Sequence, residues 1–154
     1  MGPPKNLFRD FALAFWKTAR DDLGRAQDAM EEGAYSYVIF HSQQCVEKVV
    51  KALLELKEVF SRDHDISDLF VLYILKPEPL NDQHKIFYNI LDSLEWFKGK
   101  WSVSRYPFIK DGKVVTPSED FTEIEASIAL SRATSVFSEI TSILKKEYKL
   151  EIIE

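Results

Sequence analysis

Cysteine is almost missing from this 154-residue chain: Cys45 stands alone, so no disulfide can form within it and nothing calls for an oxidising compartment. Glycine and proline are also sparse, at 5 and 6 residues, and no stretch is rich enough in Pro, Gly or Ser to divide the chain. A single domain over residues 1–154 is expected. An excess of positive charge is lacking as well. The 20 Lys and Arg residues face 25 Asp and Glu, a formal net charge of -5, and such a field repels polyphosphate and anionic lipid rather than gathering it. Bulk nucleic-acid binding and attachment to a membrane surface are therefore not expected. No uninterrupted apolar run has the length of a membrane span. The opening segment, Met1 to Asn6, lacks the apolar stretch of a signal peptide, and Asn6 stands where myristoylation needs Ser or Thr. The cytoplasm is the expected location.

Standard catalytic and metal-binding motifs are missing too. There is no glycine-rich phosphate loop, no paired-cysteine zinc pattern and no His-Glu-x-x-His. His41 and Cys45 lie one helical turn apart, a ligand spacing, but zinc needs three or four ligands and no third lies nearby in sequence. No metal and no cofactor are assigned.

What the chain does have is helical periodicity, with 45% hydrophobic residues to fill a core. Phe8, Phe11, Ala12, Phe15, Trp16, Ala19, Leu23, Ala26 and Met30 recur at three- and four-residue spacing. This predicts a helix from Asn6, a capping residue, to Glu32, with Gly33 suited to its C-terminal end. A second helix is predicted from about Tyr35 to Glu58. At about 100° per residue, Val38, Ile39, Ser42, Cys45, Val46, Val49, Val50, Ala52, Leu53, Leu54 and Leu56 spread over half its circumference. Tyr37, His41, Gln44, Lys48, Lys51 and Glu55 form a narrow polar stripe opposite. An apolar arc that broad needs more than one neighbour, which makes this helix central.

A shorter helix is expected to open at Asp63 to Asp65, where acidic groups suit the helix dipole, and to stop at Pro77 and Pro79. A fourth begins near Asn81 or Asp82 and ends before Gly99. The segment from Lys100 to Ser118 holds Pro107, Asp111-Gly112 and Pro117, which reads as a long loop or as a small hairpin turning at Asp111-Gly112. The last helix is expected to start at Ser118 as its cap and to run to about Lys146. The fold class is all-α, an up-and-down bundle of four to five helices with a long loop before the last.

Three polar groups are candidates for function. Lys48 and Lys51 beside Gln44 can hold a phosphate, or they can be a solvated face with ordinary helix ion pairs such as Glu47–Lys51. Arg105 and Tyr106 before Pro107 supply a planar cationic fork and a stacking face, or else pin the loop to the bundle. His64 and Asp65 suit an anion or a proton transfer, and equally suit an ordinary helix start.

The run from Gly33 to Leu54, GAYSYVIFHSQQCVEKVVKALL, resembles the second-helix signature of HEPN domains, nucleotide-binding domains of higher eukaryotes and prokaryotes. Trp16, Ala19, Asp21-Asp22-Leu23 and Ala26 match the first helix of such domains. His64-Asp65-Ile66 with Leu69 is similar to the family's His-Asp-Leu segment. Arg105-Tyr106-Pro107 and Glu119-Asp120 resemble the loop and last-helix start of its small prokaryotic branch. The resemblance implies a bundle of about five helices, commonly a homodimer, often acting with a separately encoded small nucleotidyltransferase. It implies a nucleotide or phosphate site at Gln44, Lys48, Lys51, Arg105 and Tyr106, with His41, His64 and Asp65 as accessory groups. Toxin members of the family are ribonucleases that carry an Arg followed about four to six residues later by a His, the base–acid pair. Here His64 is only two residues beyond Arg62, His41 and His84 lie far beyond Arg20 and Arg62, and no His follows Arg105. The departure favours a non-catalytic binding module. A ribonuclease whose His41 or His64 meets Arg105 in space and a purely structural dimeric scaffold are the alternatives.

Overall fold

The computed structural model describes residues 7–78 and 82–153. The first helix, α1 (Phe8–Glu32), buries Ala12, Ala19 and Ala26, seven residues apart along one face, together with Trp16 and Leu23. Gly33 ends it in the left-handed region at φ 74°, where a side chain would be strained, and Ala34 N–H returns to Ala29 O at 2.9 Å. The expected cap, Asn6, lies outside the described residues.

This tight exit sends α2 (Tyr35–Leu56) back along α1 as a helical hairpin. The apolar arc expected of α2 is buried from Val38 to Leu54, with α1 on one side and the final helix on another. The polar stripe is a different matter. Tyr37 is exposed, but Gln44, Lys51 and Glu55 are buried, so its C-terminal half is not a solvated face. Neighbouring elements close over it.

The third helix begins later than expected. α3 (Ser67–Phe70) starts after Asp65 has accepted the Ser67 N–H at 3.3 Å, and it widens at once into a π turn, Val71–Leu75. The wider turn is closed by Lys76 N–H to Val71 O at 2.9 Å, a five-residue step. Pro77 follows, whereas Pro79 and Asn81 lie outside the described residues. Then α4 (Asp82–Phe97) buries Phe87, Ile90, Leu94 and Phe97.

The segment expected as loop or hairpin contains a short helix, α5 (Lys100–Val103), and a hairpin of β1 (Phe108–Lys110) and β2 (Lys113–Val115) in the register Ile109 to Val114. Asp111 and Gly112 both have positive φ, at 53° and 75°, as the tight turn requires. The last helix is also corrected. Ser118 lies inside a separate short helix, α6 (Pro117–Asp120), and Phe121 and Thr122 are extended. The cap of α7 (Glu123–Lys146) is Thr122, which accepts Glu125 N–H at 3.2 Å while Glu125 reaches back to Thr122 N–H. That reciprocal pair outcompetes Ser118 because Thr122 has its glutamate three residues on. Trp16 then joins α1 to α7, stacking on Phe137 and donating its indole N–H to Thr141 at 2.9 Å.

The described residues thus form a helical bundle with one small hairpin. α2 runs through its middle.

Candidate functional site

Asp22 is the first surprise. It sits on the inner face of α1, three residues after Ala19 and four before Ala26, with its side chain almost wholly buried. From α2, Lys48 places its ammonium 2.6 Å from Oδ2, and His41 places Nδ1 3.1 Å from Oδ1. Burial alone would raise the Asp22 pKa, but the hydrogen bonds and charges of His41 and Lys48 lower it below 3.8. A carboxylate only accepts, so His41 carries a proton at Nδ1, and in the neutral ring the lone pair is at Nε2.

Arg105 follows α5. Its guanidinium lies over three rings, Phe40 at 5.1 Å, Trp101 at 5.2 Å and Tyr106 at 5.3 Å. Among the described residues no carboxylate pairs with it. The cation is therefore fixed in place by ring faces while its N–H donors stay uncommitted. Arg105 and His41 line one cavity of about 420 Å³, with Ser36, Tyr37, Phe40 and Ser104 around them and α6 at its edge. Its chemistry is that of an anion site: a free planar fork, an imidazole of fixed orientation and small hydroxyls.

The rest of the stripe belongs elsewhere. Gln44 donates to Gln43 at 2.8 Å, and Gln43 donates to Glu47 at 3.3 Å. Glu47 also holds Lys51 at 3.5 Å and His64 Nδ1 at 2.9 Å. The His64 ring stacks on Trp101 at 4.4 Å and 20°. This network backs a second cavity of about 360 Å³ between α2, the start of α3, the end of α4 and α5. Asp65, at its rim, is paired with Lys98 at 3.4 Å.

The five residues expected at a nucleotide or phosphate site, and the three accessory ones, are thus divided. Arg105 and His41 share a cavity, and Tyr106 is one of the three rings against Arg105 without lining that cavity. Lys48 is committed to Asp22, Lys51 and His64 to Glu47, Gln44 to Gln43, and Asp65 to Lys98. Trp101 lines the second cavity, stacks on His64 there, and lies at 5.2 Å from the guanidinium of Arg105, which lines the first. Asp22, Phe40, Glu47 and Trp101 went unassigned in the sequence. For Asp22 a signal existed, because a carboxylate interrupts an otherwise apolar helical face. Glu47 sits four residues from both Gln43 and Lys51, but that spacing also describes a solvent-facing ion pair. Nothing in the local pattern marks Trp101.

Cys45 is fully buried and burial pushes its thiol pKa up, and its turn-neighbour His41 points to Asp22. Among the described residues, no three His, Cys, Asp or Glu side chains are grouped to hold a metal. Among them, too, no helix is long and apolar enough to cross a membrane.

Comparison with known proteins adds to this geometry. The family model for the HEPN domain matches residues 12–144. A protein of Methanocaldococcus jannaschii bearing the name "Putative toxin MJ1304" is 34% identical over 145 residues, covering 93% of this chain and 94% of its own. The crystal structure of ST0689, described as an archaeal HEPN homologue, superposes with a TM-score of 0.66 at 29% identity, over 87% of this chain and 98% of that one. That of TT1696 from Thermus thermophilus gives 0.62 at 23% identity, over 85% and 96%, and bears on the fold alone.

Proposed function

This chain belongs to the HEPN domain family, and from that premise we propose that it is a binding module for a phosphate-bearing nucleotide, held in the cavity of Arg105 and His41. One observation carries the reading: Arg105 is an arginine without a carboxylate partner among the described residues, steadied by three aromatic faces beside an imidazole of fixed orientation. Structural arginines are ordinarily paired, and a guanidinium kept in place yet uncommitted suits capture of an anion. Lys48 and Lys51 do not take part directly. Lys48 holds Asp22, which orients His41, and Lys51 supports Glu47. Calorimetric titration with ATP tests the reading. Binding should weaken at least about tenfold in Arg105→Ala, the equivalent of roughly 1.4 kcal/mol for a lost charge-assisted contact. Equal affinity in wild type and variant would overturn it.

A second reading has an observation of its own. His41, with its lone pair at Nε2 and Asp22 behind it, shares the cavity with Arg105, as a general base beside a charge stabiliser would in RNA cleavage. The toxin name of the M. jannaschii relative supports it. Purified protein should then cleave RNA without added metal, and both His41→Ala and Arg105→Ala should abolish this. Cleavage that survives either substitution sinks it.

The proposed setting is a homodimer that works with a separately encoded nucleotidyltransferase. Sedimentation equilibrium tests the dimer, and co-purification with a nucleotidyltransferase encoded beside it tests the partner.

A further inference from the structure

The second cavity differs from the first in chemistry. Its walls are largely apolar, with Ile66, Leu94, Phe97 and the Trp101 ring, and its volume of about 360 Å³ falls within the roughly 300–1,000 Å³ of small-molecule sites. The cation lining it, Lys98, is occupied by Asp65 at 3.4 Å and Glu95 at 3.9 Å. It therefore offers no spare positive charge for a phosphate. What it does offer is His64. The ring is held flat against Trp101, and buried Glu47 accepts a hydrogen bond from Nδ1–H at 2.9 Å. In the neutral ring Nε2 then presents a lone pair, and it has no partner among the described residues.

We propose that this cavity binds a neutral planar nitrogen heterocycle, with an N–H of the ring or its amino group donated to His64 Nε2. Resting on the nucleotide reading, the heterocycle is the base of the nucleotide whose phosphate Arg105 holds. Trp101 links the residues of the two cavities: its ring stacks on His64 at 4.4 Å in one and lies 5.2 Å from Arg105 of the other. Base and phosphate are thus sorted by chemistry. The largely apolar chamber, with the His64 acceptor and no free cation, suits the ring, and the chamber with the uncommitted guanidinium suits the anion. Glu47 acts at one remove, fixing the tautomer and tilt of His64, with Gln43 and Lys51 closing its remaining positions.

Two half-ligands separate this proposal from the preceding one. Adenosine has the base and no phosphate, and inorganic pyrophosphate has the phosphate and no base. Each is titrated into ¹⁵N-labelled protein while the three tryptophan indole N–H signals are followed, with Trp101→Phe assigning one of them. Adenosine should shift the Trp101 signal and leave that of Trp16, which is buried against Thr141. In His64→Phe the ring still stacks on Trp101 but the acceptor is gone, and adenosine should bind about tenfold more weakly, one hydrogen bond's worth. Absence of adenosine binding to the wild type, or equal binding to His64→Phe, overturns the base site. Pyrophosphate reports on Arg105 alone. Its failure beside a His64-dependent adenosine response removes the phosphate reading and leaves the heterocycle site supported.

Discussion

Lys48 reaches from α2 to α1 and places its ammonium nitrogen 2.6 Å from Oδ2 of Asp22, in a pair that excludes most solvent from the carboxylate. The contact does two things at once. It joins the two helices through charge, and it leaves the other carboxylate oxygen to orient His41 in the cavity that it shares with Arg105. A residue that reads in sequence as part of a phosphate-binding stripe is thereby a support for the site.

Asp22→Asn should show this as a loss of stability. The amide cannot satisfy both His41 and Lys48 as an acceptor, and the half-buried ammonium loses its counter-charge. Urea denaturation at pH 7 should show a loss of about 2–4 kcal/mol. In the wild type the Asp22 pKa is lowered in the folded state. Its contribution is therefore full above 3.8, the ordinary value, and is lost as the pH falls through the folded value. A loss under about 0.5 kcal/mol, the level of ordinary surface changes, would count against the bridge.

Glu55 should act in the opposite sense. Both its carboxyl oxygens are buried without a hydrogen-bond partner among the described residues, and burial pushes its pKa from 4.5 up to about 7. The unfolded chain gives up this proton first as the pH rises. Stability should therefore decline between pH 4.5 and about 7 and then level off, with a total cost of about 3 kcal/mol. Glu55→Gln removes the titration, so the difference in melting temperature between the variant and the wild type should change across that window. A constant difference from pH 4.5 to about 7 would show that Glu55 is not the source.

Arg105→Lys distinguishes a fork from a point charge. Lysine keeps the charge but loses the flat face that lies on Phe40, Trp101 and Tyr106, together with the paired donors. ATP affinity measured by calorimetry should fall about as far as in Arg105→Ala. Retention of wild-type affinity would mean that charge alone matters.

Thr122→Ala tests the break before α7. The threonine accepts Glu125 N–H at 3.2 Å, and its loss should cost about 1 kcal/mol in thermal or urea unfolding. Ser118→Ala, inside α6, should cost clearly less.

Much of the bundle was legible because long helices announce themselves through repeated spacing. Ala12, Ala19 and Ala26 on α1, and Val38 to Leu54 on α2, lie where their periodicity puts them. The short elements were not legible in the same way. α3 and α6 are one turn each, too brief for a period, and the start of α7 turned on whether Ser118 or Thr122 found the better glutamate. Arg105 stood out as a cation before a proline in a loop. The partition of the stripe did not, because a helical wheel gives direction without saying what lies in that direction. Gln44 and Lys51 look solvated until elements from far along the chain, with His64 and Trp101, are brought over Glu47.

One rigid helix carries a wall of each cavity: His41 for the first and Glu47 for the second, six residues apart on α2. At 1.5 Å of rise per residue, that is about 9 Å along the axis. The helix is therefore a ruler. On the proposed reading, a ligand engaging both chambers bridges a span set by backbone hydrogen bonds rather than by a loop, and its length becomes part of its selection.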